Sequence, residues 1–180
     1  MPKKPETVFI ICGDFNTPKK PIKEFDQMKD KVLSFDKEKK EFEWENAELL
    51  TYIINNESLL EIEFKNNKKI TLTKEHPLLM VQGERLLSLL WIKANQLKKD
   101  DMILSVGKSI EDLIPCKIKS IKEIQGIKKV YDLTVPKNHS FIANGIISHN
   151  SGKSYSIGVI SEEMSKLPQE VRENIAPLIF

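Results

Sequence analysis

Along most of this chain, short runs of alternating apolar and polar residues recur, each closed by a turn. Successive side chains of a strand point to opposite faces, so a period of two marks a strand with one buried face, whereas a helix repeats near 3.6. Lys31-Val-Leu-Ser-Phe-Asp36 and Glu41-Phe-Glu-Trp-Glu45 alternate around the charged Lys37-Glu-Lys-Lys40, as a hairpin would. Leu59-Leu-Glu-Ile-Glu-Phe64 and Lys69-Ile-Thr-Leu-Thr73 flank Lys65-Asn-Asn-Lys68 and read as a second hairpin, which Pro77 is expected to halt. Leu90-Trp-Ile-Lys-Ala-Asn-Gln-Leu97 reads as one short helical turn. Lys117–Ile124, Val130–Val135 and Ser140–Ala143 read as further strands, and an Asn144-Gly145 turn leads into a last apolar run. Near the start, Thr7-Val-Phe-Ile-Ile-Cys12 has the look of a buried strand ending at Gly13. An all-β body is the expectation.

The pattern changes at residue 150. Apolar residues at Ile157, Ile160, Met164 and Leu167 have helical spacing, Pro168 ends that stretch, and a second helical stretch is read from Gln169 to Ile175. The 180 residues suffice for one domain with short flanks. The net charge of +2 gives no strong basic field, so nucleic-acid binding by the body is not expected. Cys12 and Cys116 form neither a disulfide framework nor a metal-ligand spacing. No apolar run approaches the ~20 residues that span a bilayer, and the opening Met1-Pro-Lys-Lys-Pro-Glu is polar. A cytoplasmic protein without a membrane partner is the expectation.

The change falls at His149-Asn150-Ser151. An asparagine amide nitrogen can attack its own backbone carbonyl, close a succinimide and cut the following peptide bond. A neighbouring histidine can handle the protons, and a following serine can accept an acyl group. Such an order suits a protein that cuts itself. Two further histidines, His76 and His139, complete the set.

With these residues in view, the body resembles an intein, the self-splicing domain of the Hint superfamily. Thr71-Leu-Thr-Lys-Glu-His-Pro-Leu78 resembles the block that carries a Thr-x-x-His pair. Val130-Tyr-Asp-Leu-Thr-Val-Pro-Lys-Asn-His-Ser-Phe-Ile-Ala-Asn-Gly-Ile-Ile-Ser-His-Asn-Ser151 resembles the two carboxy-terminal blocks nearly residue for residue. Pro21–Phe25, Asp30–Asp36 and Trp91–Asp101 also look like family elements, so the resemblance covers roughly residues 17–150. It implies a horseshoe-like Hint body with pseudo-two-fold symmetry. It also implies that Thr73 and His76 polarise and protonate the amino-side scissile bond, and that Asp132 tunes the nucleophiles. His149 and Asn150 would perform the cyclisation and Ser151 would accept the acyl group. His139 is read either as a participant or as a loop histidine with a structural hydrogen bond. The family implies action in cis, with no partner, cofactor or metal. Residues 77–129, between the two blocks, are too few for an inserted endonuclease, so the likeness is to a mini-intein.

The flanks carry a second pattern. Ser151-Gly-Lys-Ser154 is the latter half of a phosphate-binding loop. Joining Asn16 to Ser151 gives Gly-Asp-Phe-Asn-Ser-Gly-Lys-Ser, a complete P-loop between a strand and a helix, with Gly13, Gly152, Lys153 and Ser154 placed for nucleotide phosphates. The tail resembles HerA-type or related ATPases. On this reading residues 1–16 and 151–180 are flanks of an ATP-binding host and 17–150 is the inserted body. The amino junction stays open among three readings. The body begins at Thr17, with Thr17 or Ser151 attacking the bond after Asn16. Alternatively Cys12 is the first residue. In the third, residues 6–11 are the family's first strand and a catalytic residue near Pro2 is lost. Carboxy-side cleavage alone, an inactive Hint body and a P-loop nucleotide-binding fragment remain as alternatives.

Overall fold

The computed structural model describes residues 9–10, 19–53, 57–83, 88–109, 112–126 and 129–150. Cys12, Asn16, Thr17, Ser151 and the candidate phosphate-loop residues Gly13, Gly152, Lys153 and Ser154 lie outside these, as does the helical tail expected after Asn150.

Fourteen strands run in chain order among the described residues: β1 (Phe9–Ile10), β2 (Lys20–Pro21), β3 (Val32–Asp36), β4 (Glu41–Glu45), β5 (Glu48–Ile53), β6 (Leu59–Phe64), β7 (Lys69–Thr73), β8 (Pro77–Gln82), β9 (Ser88–Lys93), β10 (Met102–Val106), β11 (Leu113–Ile124), β12 (Lys129–Thr134), β13 (Ser140–Ala143) and β14 (Ile146–His149). Ten form one sheet in the order β2-β1-β13-β14-β8-β10-β11-β6-β7, with β9 beside β8, while β12–β5 and β3–β4 are separate two-stranded ribbons. Every pairing is antiparallel. The all-β expectation is met.

Both expected hairpins form in the register that their alternation requires. In the first, Val32 faces Glu45 and Phe35 faces Phe42, whose rings lie 5.1 Å apart. In the second, Leu60 faces Leu72 and Ile62 faces Ile70, so one apolar face of the pair enters the core. Two local expectations fail. The stretch from Leu90 is not helical at its start: β9 continues to Lys93, and only Ala94–Gln96 form a 3-10 turn. The apolar side chains there serve a strand laid along β8, with Leu79 opposite Trp91. Pro77 does not halt β7, which ends at Thr73; Pro77 instead opens β8, a strand position where proline is tolerated.

The central strands are buried on both faces. Consecutive residues Leu78 and Leu79, Ile103 and Leu104, and Ile146 and Ile147 part between two core clusters. That explains why these segments read as apolar runs rather than clean alternation. The β13–β14 hairpin lies in the middle of the sheet. Ser140 fastens it to β3, its Oγ donating to the Phe35 carbonyl at 2.9 Å and accepting from the Phe35 N–H at 2.9 Å. Ile10 of β1 is fully buried and pairs with Ala143 at the turn end of this hairpin.

Candidate functional site

The carboxy-side residues are placed by the β13–β14 hairpin. Ser140 pairs with His149 and Ala143 with Ile146, which leaves Asn144 and Gly145 as a two-residue turn. Both have positive φ, 49° and 76°, the requirement of a type I′ turn. Asn150 follows the last strand residue and is only 4% exposed. Its N–H donates to the carbonyl of His139 at 2.9 Å. The loop that carries His139 is itself closed by His139 N–H on the Val135 carbonyl at 3.1 Å and by Lys137 N–H on Glu45 Oε2 at 3.2 Å. The strand end is therefore held in place from two sides.

His149 turns its ring back on the backbone. Its Nδ1 lies 2.6 Å from the Asn150 carbonyl oxygen, the acceptor of the Asn150–Ser151 peptide bond. A carbonyl has no proton to give, so the hydrogen sits on Nδ1. The other sides of the ring meet Trp91, edge to face at 4.8 Å between centroids, and His139 at 5.9 Å. Burial holds the His149 pKa below the ordinary imidazole value, opposed by the bond to Asn150; nearby His139 lowers it further and Asp132 raises it. Near neutral pH the ring is thus neutral with its proton on Nδ1, so it donates to this carbonyl and keeps Nε2 free as an acceptor.

His76 approaches from another element. It ends the tight turn after β7, where its N–H donates to the Thr73 carbonyl at 3.1 Å, and its own carbonyl receives the Ala94 N–H at 2.9 Å. Its ring stands edge to face with Phe141 at 6.4 Å. Burial lowers its pKa; Asp132 opposes the shift and His149 adds to it. Asp132, on β12, is 4% exposed, and its Oδ1 accepts the Leu133 N–H at 2.9 Å. It lies within electrostatic reach of both His76 and His149. The structure thus gathers His76, Asp132, His139, His149 and Asn150. Thr73 contributes its carbonyl to the turn.

Three contacts escaped the sequence reading. Trp91 lies against His149; it falls in the Leu90–Leu97 stretch that reads as a short helical turn, whereas β9 carries it as a strand residue. Glu45 steadies the His139 loop from a distant ribbon, and no spacing in the sequence links the two. Ser148, two residues before Asn150, is fully buried; in the sequence it is one residue of the last apolar run. Among the described residues no three His, Cys, Asp or Glu side chains gather as metal ligands, and no helix is long and apolar enough to cross a membrane.

No family model and no curated protein matches the sequence. Solved structures do. An intein from a hyperthermophile superposes with a TM-score of 0.69 at 18% identity, covering 81% of this chain and 97% of that one. The transcription factor IIB Mvu mini-intein gives 0.65 at 21% identity, with 80% and 98% covered. A DnaB intein from Synechocystis sp. PCC 6803 gives 0.64 at 22% identity, with 80% and 94% covered. Almost the whole of each neighbour is matched, so the described body has the Hint fold of the inteins.

Proposed function

We propose that this body is a self-processing element that cuts its own chain after Asn150. The observation that carries the reading is His149 Nδ1 at 2.6 Å from the Asn150 carbonyl oxygen. In the reaction, Asn150 Nδ2 attacks its own carbonyl carbon and gives up a proton. Negative charge grows on the carbonyl oxygen, where the Nδ1 hydrogen already points. The bond to Ser151 breaks, the departing nitrogen takes a proton, and Asn150 is left as a carboxy-terminal succinimide. The buried strand end supplies the orientation that an amide, a poor nucleophile, needs. In full splicing, Ser151 Oγ first receives the acyl group from the amino-side junction, with His76 and Thr73 acting there and Asp132 linking the two ends. An O-to-N shift then leaves an ordinary peptide bond. The flanks would rejoin as the ATP-binding loop of a host, with Gly13, Gly152, Lys153 and Ser154 around phosphate.

A second reading has its own support. Ile10 is fully buried in the body's core and pairs with Ala143. This favours residues 6–11 as the body's first strand over a flank, with the amino nucleophile lost near Pro2. Carboxy-side release alone would then remain. Intact-mass spectrometry of the incubated 180-residue chain separates the two. Splicing yields a 17–150 body and a joined 1–16/151–180 product; release alone yields 1–150 and 151–180. Asn150→Ala is expected to abolish every product. Intact precursor over a range of pH and temperature would refute self-processing.

A further inference from the structure

Among the described residues, three buried side-chain atoms lack a hydrogen-bond partner, and two of them are Ser148 Oγ and Asn150 Oδ1. Ser148 is 0% exposed and Asn150 4%. Ser148 lies in β14 and Asn150 one residue past its end, where the Asn150 N–H on the His139 carbonyl carries the β13–β14 register one pair further, so their side chains share one face. Two rises of a strand separate their Cβ atoms by ~7 Å, and no direct hydrogen bond joins the two oxygens. One water with two hydrogen bonds of about 2.8 Å spans up to ~5.5 Å between oxygens, within the reach of two side chains on neighbouring positions of one face. Ser148 pairs with Phe141 on β13 and with Leu78 on β8, both apolar core residues. His149, one residue between, turns to the other face and lies against Trp91. An unsatisfied buried oxygen costs about 1–3 kcal/mol, so two on neighbouring positions of one face mark a place for a shared polar guest.

We propose that Ser148 is a positioning residue for Asn150, joined to its side-chain oxygen by one buried water. The proposal rests on Asn150 cyclisation as the reaction. Its content is the choice between the two ends of the Asn150 carboxamide. Only Nδ2 can close the succinimide by attacking the backbone carbonyl. The water donates to Oδ1 and accepts from, or donates to, Ser148 Oγ. With Oδ1 held toward Ser148, Nδ2 is left on the side of its own carbonyl. Where the hydroxyl is missing, the water loses one of its anchors and the carboxamide samples both flips.

Ser148→Val removes the hydroxyl, and Ser148→Thr, of the same shape as Val, keeps it. The Val variant is expected to release 151–180 about 10-fold or more slowly than the Thr variant, while the thermal midpoints of the two stay close, because both add the same bulk to the buried site. Ser148→Thr, which keeps the hydroxyl, should recover most of the rate. A Val variant that cleaves at the wild-type rate, or a Thr variant as slow as Val, overturns the proposal while leaving the cleavage reading intact. A purely structural role would lower rate and stability together and fail to distinguish Thr from Val. The structural arm does not depend on activity: a high-resolution crystal structure of the full chain should show a water within ~3.2 Å of both oxygens. Were the chain inert, self-cleavage would fall, and the water would still decide the contact. Density with no water between the two oxygens overturns it.

Discussion

The turn at Thr73–His76 and the strand end at His149–Asn150 are built alike and poised differently. Each lies at the end of a β-strand, each is closed by backbone bonds, and each holds a half-buried histidine whose pKa is lowered mainly by desolvation. At the strand end the imidazole already touches the carbonyl on which it would act. At the turn, the described neighbours of the ring are Phe141, the charge of Asp132 and the more distant His149. One half of the site is therefore assembled within a single hairpin, from residues adjacent in sequence. The other half depends on a segment brought in from elsewhere. Carboxy-side cleavage should accordingly tolerate damage at the turn better than the reverse.

His149→Ala is the harshest probe of that difference. It removes the donor to the carbonyl and is expected to slow release of 151–180 by about 10²–10⁴-fold, the range of a positioned acid–base group. His76→Ala should slow the same release by less than ~10-fold while removing any amino-side product. Time courses by mass spectrometry measure both, and equal losses would erase the distinction between the two halves.

A smaller effect is expected in stability against pH. Both rings have folded-state pKa values below the ordinary ~6.5. Between the folded and unfolded values the unfolded chain binds more protons, so stability rises with pH there. It is full above about 6.5, is lost as pH falls below that, and levels off beneath the folded values. The slope is at most about 1.4 kcal/mol per pH unit for each ring. Urea midpoints from pH 7.5 to 5 should fall, and His76→Gln should flatten part of the fall. An unchanged slope in that variant would place the effect on other groups.

How far the sequence could be read follows the same division. The hairpins at Val32–Glu45 and Leu59–Thr73 were legible because alternation and turn residues are local signals. So was the run into Asn150, where Asn144-Gly145 can hardly be anything but a tight turn. Trp91 was misplaced because β9 is half exposed on both faces and its alternation is blurred. Glu45 and Asp132 were harder still. Which carboxylates a fold buries is decided by strands far apart in sequence, and Asp132 on β12 reads equally well as an outward charge until the sheet is closed over it.

The gentlest test reaches the carboxy-side half through its turn. Gly145 has φ of 76°, a conformation that costs a residue with a Cβ about 1–2 kcal/mol. A Cβ there would also stand 2.8 Å from Lys68 Nζ. The Lys68 ammonium donates to the Val106 carbonyl, whose own N–H donates to the Gly145 carbonyl at 2.9 Å. The lysine is flexible and can yield, but only by loosening that bond. Gly145→Ala is thus expected to destabilise by about 1–2 kcal/mol, or roughly 3–6 °C in the thermal midpoint for a domain of this size. The four pairs from Ser140–His149 to Ala143–Ile146 still fix the register of the hairpin. Asn150 is still held by the His139 carbonyl at 2.9 Å. Release of 151–180 should therefore change less than ~3-fold at temperatures where the variant is folded. A loss as large as that of His149→Ala would mean that the geometry at Asn150 is set by the turn at the far end of the hairpin, and not by the loop against which the strand end is fastened.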